Sequence, residues 1–273
     1  MHDPSPTYVL GHSDQELARL TRQARLIDPT TQQFFREAGI ASGMRVLDVG
    51  SGAGHTAFLA AHLVGGTGEV IGTDRALDAI KTAQRLAEAQ ALHNVSFRHG
   101  DPTEMAFERP FDAVVGRYVL IFNRDAASML RRLAKQLKPA GLIVFHEPGM
   151  GIAQSNPRAE LYDLCCHWAI EGFRLGGTQI DTAYKMHSIF VAADLPAPTM
   201  RMQVSIGGAP GIFEWLHGLV EIIRTLLPAI ERYGIATAAE VDIDTLADRL
   251  CREIASNGST VLGRADIAAW AHV

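Results

Sequence analysis

Apolar and polar positions alternate between two kinds of segment from residue 44 to residue 147. Short β-branched runs, typical of buried strands, are separated by longer stretches whose apolar residues recur at helical spacing. The pattern predicts strands at 44–49, 68–73, 94–98, 111–116 and 141–147, and helices at 55–64, 76–90 and 125–137. Such alternation indicates parallel strands with right-handed crossovers, so we expect an α/β fold with a doubly wound, Rossmann-like sheet.

The pattern changes on both sides of this core. Before it we expect two helices, the first ending at Asp28-Pro29 and the second running to Gly39. After it, apolar residues at helical spacing predict helices at 158–174, 181–193, 213–227 and 244–256, the third of them ending at Pro228. Alternating apolar residues predict strands at 200–206 and 265–273, the last of them antiparallel to the core.

One domain assembled from four segments is the expected organisation. We assign residues 1–40 to an N-terminal helical segment and residues 41–150 to the cofactor-binding sheet core. Residues 151–199 form a helical cover insertion, and residues 200–273 add strands and cover helices that complete the same domain. We interpret the helices at 158–174 and 213–232 as a cover over a substrate site.

The turn after the first strand is the most informative stretch, because Gly50, Gly52 and Gly54 follow Asp48 closely. Glycine adopts backbone angles closed to other residues and lets a loop approach a ligand. A helix beginning at His55 would offer free N–H donors to a carboxylate or phosphate. A dinucleotide turn would read G-x-G-x-x-G, and an acid suits an ammonium or sulfonium better than a pyrophosphate. The turn therefore favours the methionine part of S-adenosylmethionine (SAM), with an ordinary strand–loop–helix connection as the alternative.

Two further acids follow the next two strands. Asp74 lies about 20 residues past the turn, where a doubly wound fold places the carboxylate that binds a ribose diol. Asp101 comes after the third strand and could accept a hydrogen bond from an adenine amino group. The alternative is that both acids cap the following helices. Ligands collect at the carboxyl ends of such strands, where the turn and both acids are expected to meet.

Taken together, these motifs resemble those of class I SAM-dependent methyltransferases, in the small-molecule group related to ubiquinone and menaquinone methyltransferases. The resemblance covers residues 41–148 and rests on Val46–Gly54, Thr73-Asp74, Gly100-Asp101, Phe111–Arg117 and Leu137–Leu142. Ala140 departs from the pattern, because the family usually has glycine there, although Gly141 remains. The resemblance implies SAM as methyl donor and S-adenosylhomocysteine as product, and it leaves the acceptor open.

The cofactor contacts are assigned by position along the sheet edge. We expect them from Asp48, Gly50, Ser51, Gly52, Gly54, Asp74, Arg75, Asp101, Pro102 and Arg117. Asp48 would lie near the cationic groups of SAM, with capping of the turn as its alternative. Arg117 would line the pocket or pair with a substrate anion, and a salt bridge to a helix acid is an equal alternative.

The acceptor side is less determined by sequence. His146 and Glu147 end the fifth strand, and only one of them can face the pocket because strand neighbours alternate faces. We assign His146 as the catalytic base, since histidine has the better ordinary pKa for proton transfer. Further substrate contacts are expected from Tyr8, Glu147, His167, Trp168, Trp215 and His217. A histidine or tryptophan on an apolar helix face is more often plain core, which remains the alternative for the helical residues.

Composition and charge limit the kinds of substrate and partner that we expect this chain to bind. The net charge of −5 over 273 residues argues against a nucleic-acid footprint, which needs clustered Lys and Arg. After the fourth strand the chain reads Gly116-Arg117-Tyr118-Val119, not the Asn/Asp-Pro-Pro-Tyr/Phe run that holds an adenine or amide nitrogen. A small, partly hydrophobic acceptor is therefore favoured.

The cysteines and termini point to an intracellular protein. Three cysteines give neither metal-ligand spacing nor a disulfide framework, so we expect no metal. No secretory leader and no apolar run of membrane-span length are apparent, so we expect the cytoplasm and no membrane. A homodimer through the apolar cover helices is left open.

The leading hypothesis is a SAM-dependent methyltransferase that acts on a small molecule, in specialised metabolism, by in-line displacement. One alternative is a protein of the same fold that binds SAM and catalyses a non-transfer step such as cyclisation. A nicotinamide oxidoreductase is disfavoured by the glycine spacing and by Asp48.

Overall fold

The computed structural model describes residues 14–273, with side chains at residue 24 and from residue 26 onward. The described chain divides into two units. The sheet unit contains residues 23–147, 182–201 and 267–273, and the helical unit contains residues 14–22, 148–181 and 202–266.

Strands and helices alternate through the first half of the described chain. The strands are β1 (Arg45–Val49), β2 (Glu69–Asp74), β3 (Val95–His99), β4 (Phe111–Arg117), β5 (Leu137–Gly149), β6 (Gln154–Asn156), β7 (Thr199–Gly207) and β8 (Thr260–His272). The helices are α1 (Asp14–Ala38), α2 (His55–Val64), α3 (Leu77–Ala89), α4 (Ala126–Ala134), α5 (Glu160–Leu175), α6 (Thr182–Ala192), α7 (Phe213–Arg232), α8 (Ala238–Val241) and α9 (Leu246–Asn257). Within the described residues, no helix is long and apolar enough to cross a bilayer.

The central sheet has the strand order β3-β2-β1-β4-β5-β8-β6, and β7 pairs with β8. β1 pairs in parallel with β2 and β4, β2 with β3, and β4 with β5. β6 and β8 are antiparallel. The expected α/β class, with a mostly parallel sheet and an antiparallel C-terminal strand, is confirmed. The strand order reverses direction between β1 and β4, and a doubly wound sheet binds ligands at the carboxyl ends flanking such a point.

Buried residues of the sheet unit form a core on which the strands and α1 to α3 pack. Val46, Val70, Val115 and Val144 contribute one residue from each of four neighbouring strands, and each is fully buried. Apolar residues on both faces of the strands account for the continuous hydrophobic runs in the sequence. This core holds the carboxyl ends of β1, β2, β4 and β5 in fixed register.

Two prolines that were expected to end helices lie inside them. α1 continues through Pro29 and α7 continues through Pro228, so the prediction of two N-terminal helices and of a helix ending at Pro228 is wrong. An interior proline costs about 3 kcal/mol in an isolated helix. Burial on one helix face on both sides of each proline offsets that cost. The buried residues are Ile27, Phe34, Phe35 and Ala38 in α1, and Leu226 and Ile230 in α7.

The fifth strand begins earlier than expected. β5 starts at Leu137, which pairs with Phe111 across a register shift, and α4 ends at Ala134. Ala140 has φ 61°, a left-handed angle that favours glycine and explains why the family prefers glycine there. A Cβ on Gly141 would lie 2.8 Å from the carbonyl oxygen of Lys138, so that glycine is required sterically.

The helical unit has its own core, formed mainly by α5, α7 and α9. Leu216, Val220 and Ile223 line one face of α7 and are buried with Tyr162 and Trp168 of α5. Glu253 of α9 accepts hydrogen bonds from the amides of Leu161 and Tyr162, at 3.0 and 3.2 Å, at the start of α5. The helices expected from sequence at 158–174 and 213–232 therefore pack on each other, and their interpretation as a substrate cover stays a prediction.

Candidate functional site

The glycine turn after β1 adopts the backbone that its sequence predicts. Gly50, Gly52 and Gly54 have φ angles of 64°, 52° and 93°. A Cβ on Gly50 would lie 2.8 Å from Val119, and a Cβ on Gly54 would lie 2.7 Å from Phe58. A Cβ on Gly52, in contrast, would have no atom of the described residues within 4 Å apart from its own chain neighbours. Two glycines therefore serve packing, and Gly52 exposes backbone to an open space that a ligand can approach.

Asp74 ties this turn to the end of β2. Its Oδ2 accepts a hydrogen bond from the amide of Gly52 at 2.8 Å, and its Oδ1 accepts one from the amide of Ala76 at 2.8 Å. It does not cap α3, whose N-cap is Ala76 without a side-chain bond. A carboxylate has about four acceptor positions, so two remain for a ligand such as a ribose diol.

Asp48 is a completely buried acid near the end of β1. Both carboxylate oxygens and the hydroxyl of Ser51 lack a partner among the described residues. Burial raises the pKa of Asp48 well above its usual range and the Asp74 charge adds to the rise, whereas the Arg117 charge and the nearby Ala57 amide act in the opposite direction. The Ala57 amide does not reach normal hydrogen-bond geometry. An unpaired buried polar group costs free energy unless something binds it. This arrangement fits a ligand that brings a cationic group or a donor to the turn.

Asp101 is satisfied by its own loop. Its Oδ1 accepts from the amide and the hydroxyl of Thr103, at 2.9 and 2.8 Å. Its Oδ2 is paired with the guanidinium of Arg75. Burial acts to raise the pKa of Asp101, but the bonds from Arg75 and Thr103 outweigh it and leave that pKa below its usual range. Pro102 beside it is buried, and the adenine contact expected of this loop stays a prediction.

Arg117 at the end of β4 makes the helix salt bridge that was its structural alternative. Its Nη1 lies 2.7 Å from Oδ1 of Asp28 and 3.0 Å from the hydroxyl oxygen of Thr31, both on α1. Only 10% of the Arg117 side chain is exposed. Its charge also acts on Asp48 and His55. Arg117 therefore joins α1 to the sheet edge, and a direct cofactor contact stays a prediction.

His146 at the end of β5 lies against α1 and the residue that follows β4. Its Nδ1 is 3.2 Å from the hydroxyl oxygen of Thr31. The rings of Phe34 and Tyr118 contact the imidazole edge-on, with centroids 5.1 and 5.2 Å away. Tyr118 has φ 58°, and its amide donates to the carbonyl of His146 at 2.8 Å. Left-handed angles at non-glycine residues are strained and cluster at functional sites.

Glu147 follows His146 on β5 and points to the opposite face of the strand, and its expected contact with substrate stays a prediction. Its Oε1 accepts from the amides of Val119 and Leu120 at 2.9 and 2.7 Å, and its Oε2 accepts from Ile121 at 3.2 Å. Burial raises the pKa of Glu147 to about 7 against the effect of these donors. Its carboxylate thus anchors the loop after β4, including the Val119 side chain that packs on Gly50.

The residues of the helical unit that were expected to contact substrate have different surroundings in the structure. Trp168 is 3% exposed and packs in the core of the helical unit, and its expected contact with substrate stays a prediction. Trp215 donates from Nε1 to the Tyr162 hydroxyl at 3.4 Å. His167 and His217 are exposed. Tyr8 lies outside the described residues.

Two residues of this site were missed by sequence reasoning, namely Thr31 and Tyr118. Tyr118 carried a signal, because it directly follows Arg117 at a strand end. No sequence signal marked Thr31. A helix boundary was expected at Pro29, so the continuous helix face that carries Thr31 was not recognised. In the part of the chain that the structure describes, no group of three or more His, Cys, Asp or Glu side chains could hold a metal.

Fold and site together define an α/β protein with a ligand turn at the switch point of a doubly wound sheet. Residues 40–193, more than half of the chain, match the family model described as a methyltransferase domain. The chain therefore belongs to the methyltransferase domain family. The resemblance drawn from Val46–Gly54 and the following motifs is confirmed at the level of the family.

Individual relatives share parts of this chain. It is 41% identical over 108 residues to aklanonic acid methyltransferase DauC of Streptomyces sp. (strain C5), covering 39% of this chain and 49% of that protein. It is 30% identical over 199 residues to nocamycin O-methyltransferase of Saccharothrix syringae, and this match covers 70% of this chain and 66% of that protein. The matches span about a third to a half of the length of the first curated relatives.

A solved structure of similar fold is the YcgJ protein from Bacillus subtilis. The two share a TM-score of 0.56 at 19% identity, covering 90% of this chain and 99% of that one. At this identity the likeness shows the fold alone.

Proposed function

We propose that this protein is a SAM-dependent methyltransferase that transfers a methyl group to a small, partly hydrophobic organic acceptor. The observation that carries the proposal is the pairing of two features at one turn. The Asp48 carboxylate is buried without a hydrogen-bond partner among the described residues, and Gly52, four residues later in the chain, faces open space among them. Family membership supports the same reaction class.

The residues at the sheet edge fit SAM group by group. Asp48 would lie near the cationic groups of its methionine part, because an unpaired buried carboxylate favours a positive partner. Asp74 keeps acceptor positions for the ribose hydroxyls while it fixes Gly52. The start of α2 offers backbone donors to a carboxylate. When bound, SAM supplies a methyl group that is already activated on a sulfonium.

The chain itself has to orient the acceptor and, where the acceptor loses a proton, take that proton. We propose His146 for the proton, since its ring is held at the carboxyl end of β5 by Thr31, Phe34 and Tyr118. A positioned base adds about 10²–10⁴-fold to such a rate. Positioning of the two reactants contributes several kcal/mol more, roughly as intramolecular reactions do.

The cysteines do not favour a thiol-dependent acceptor such as a soft metalloid. Burial raises the pKa of Cys165 far above its usual range and raises that of Cys166 to about 12. Both side chains therefore stay thiols at neutral pH, whereas the thiolate is the reactive form. An organic oxygen, nitrogen or carbon acceptor remains the better proposal.

Cofactor binding can be tested by calorimetry with SAM, S-adenosylhomocysteine and NAD on the full chain. We expect SAM and S-adenosylhomocysteine to bind and NAD not to bind. Asp48→Asn should weaken SAM binding, and Asp78→Asn is the matched control because this exposed acid on α3 pairs with Lys81 across one helical turn. Tight NAD binding without SAM binding would overturn the proposal.

A screen for labelled-methyl transfer across candidate metabolites tests the reaction itself. We expect label to move to an organic acceptor with stoichiometric formation of S-adenosylhomocysteine. A substrate that is converted while SAM is bound but never consumed would favour the cyclisation alternative instead.

For compartment and assembly we propose a cytoplasmic protein and keep a homodimer as an alternative. All three cysteines of the chain, Cys165, Cys166 and Cys251, are free thiols, as a reducing compartment allows. Light scattering on the purified chain measures the mass in solution, and fractionation of cells measures the compartment.

A further inference from the structure

The hydroxyl of Thr31 lies at the centre of a buried polar cluster in the sheet unit. Its Oγ1 is 3.1 Å from the carbonyl oxygen of Ile27, 3.0 Å from Nη1 of Arg117 and 3.2 Å from Nδ1 of His146. Thr31 is completely buried. Three polar groups therefore share one hydroxyl that has one proton and two lone pairs.

The chemistry of these partners limits where the proton can lie. A guanidinium only donates, so Arg117 takes one lone pair of the hydroxyl. A carbonyl only accepts, so the contact with Ile27 is a hydrogen bond only if the hydroxyl proton points to it. All three contacts are therefore hydrogen bonds at the same time only if Nδ1 of His146 carries a proton and donates it to the second lone pair.

We propose that Thr31 is a positioning residue that holds neutral His146 as the Nδ1–H tautomer and thereby places the ring's lone pair on Nε2. The tautomer itself follows from the contacts of Thr31, and its use in catalysis rests on the proposed role of His146. The second ring nitrogen of a histidine is set in this way by the hydrogen bond that the first one makes.

The groups around the cluster keep this arrangement in place. Asp28 accepts from the same Nη1 of Arg117 at 2.7 Å, which orients the guanidinium toward Thr31. The edge contacts of Phe34 and Tyr118 restrict rotation of the imidazole. A ring flip would turn Nδ1 away from Thr31 and leave a buried hydroxyl lone pair unused, so one ring orientation is favoured.

A proton transfer follows directly from this tautomer. The proton of an acceptor O–H or N–H passes to Nε2 while the electron pair of that bond stays on the acceptor atom. The ring becomes an imidazolium whose Nδ1–H still donates to Thr31. His146 is completely buried, so the proton on Nε2 would pass to water that enters the site after the product has left. Thr31 therefore keeps its bond before and after the transfer.

The tautomer can be read from the wild-type protein by nuclear magnetic resonance. Long-range proton–nitrogen correlations distinguish a protonated ring nitrogen from one with a lone pair. With ¹⁵N-labelled histidine the chain has 11 such rings, and the signals that vanish in His146→Gln belong to His146. In the neutral ring we expect a protonated Nδ1 and an unprotonated Nε2. The reverse assignment, or averaged signals from both tautomers, would overturn the inference.

Two variants separate positioning from packing. Thr31→Val keeps the shape but removes the acceptor, so we expect the His146 signals to move toward the Nε2–H form. Thr31→Ser keeps the hydroxyl and should restore the wild-type signals. If Thr31→Val does not fold, the wild-type spectrum together with Thr31→Ser still decides the tautomer.

Activity then tests the catalytic use separately. For an acceptor that loses a proton, Thr31→Val should lower kcat at least about tenfold, because a wrong tautomer removes the base. The KM for SAM should stay within about twofold, since Thr31 is not placed in the cofactor turn. A shifted tautomer with unchanged kcat supports the assignment of Thr31 and contradicts the proposed base role of His146, without touching SAM binding.

Discussion

Asp48 and Glu147 are both acids at the carboxyl ends of core strands, and both are completely buried. Glu147 accepts three backbone hydrogen bonds from the loop after β4. Asp48 has no such bond from the described residues. A buried acid whose acceptor positions are filled serves the fold, whereas one left unpaired costs stability and is explained by a ligand. Glu147 therefore stabilises the loop after β4, and the binding of a ligand group by Asp48 stays a prediction.

The largest expected effect comes from removing the satisfied acid. Glu147→Ala would leave two buried amides and one partly buried amide without acceptors and open a cavity, so we expect the free energy of unfolding to fall by about 3–5 kcal/mol. Urea unfolding followed by circular dichroism measures this loss. Glu147→Gln is the matched variant, because its amide keeps one acceptor oxygen and should cost only about 1–3 kcal/mol. Equal stability of wild type, Glu147→Ala and Glu147→Gln would contradict the structural role of Glu147 that distinguishes it from Asp48.

The same acid predicts how stability depends on pH. Burial raises the pKa of Glu147 from 4.5 to about 7, so the folded state holds its proton more tightly than the unfolded state does. Its contribution is therefore fully present below pH 4.5 and is lost as pH rises through about 7. We expect a loss of at most about 3 kcal/mol across this window. The pKa of Asp48 is raised as well.

Urea unfolding across this pH range measures the slope of the unfolding free energy. Glu147→Gln should flatten it, since glutamine has no proton to lose. Asp48→Asn should remove only the part that belongs to Asp48. A slope that is the same in wild type and Glu147→Gln would contradict the raised pKa of Glu147.

For Asp48, the unpaired acid, we expect substitution to have a small effect on stability and a larger effect on SAM binding. Asp48→Asn removes a buried charge without breaking a hydrogen bond within the described structure, so unfolding should change by less than about 1 kcal/mol. SAM binding should weaken by about 1.5–3 kcal/mol, which is the usual size of a charged hydrogen bond. Calorimetry and urea unfolding on the same preparation give both numbers. A large loss of stability with unchanged SAM affinity would place Asp48 with Glu147 as a structural acid.

The backbone of the glycine turn and the strand ends beside it were predictable from sequence because their signals are local. The glycine spacing fixes the backbone of Gly50 to Gly54, and strand ends are visible in the hydrophobic pattern. Asp48 and Asp74 follow from counting positions along those strands. Each inference needs only neighbouring residues and the general rule that parallel strands end at one edge.

The acceptor end could not be read in this way because contacts distant in sequence decide it. Whether His146 or Glu147 faces α1 depends on the register of β5, which pairs Arg117 with His146. Thr31 reaches His146 only because packing carries α1 through Pro29, against the local preference of proline. The partners of Glu147 lie 26 to 28 residues away in the loop after β4, where no motif marks them.

Asp74 is the intermediate case and gives the smallest expected effect. It is half-buried and accepts two backbone bonds, yet its carboxylate keeps positions for a ligand. Asp74→Ala should weaken SAM binding by somewhat more than about 1 kcal/mol, because it removes a charged acceptor. It should also destabilise the fold by about 1 kcal/mol, since the Gly52 amide loses its partner. Calorimetry with SAM measures the first and urea unfolding the second, and Asp78→Asn controls for the loss of an acid. An affinity equal to wild type would remove Asp74 from the site and leave it, like Glu147, as an anchor of its loop.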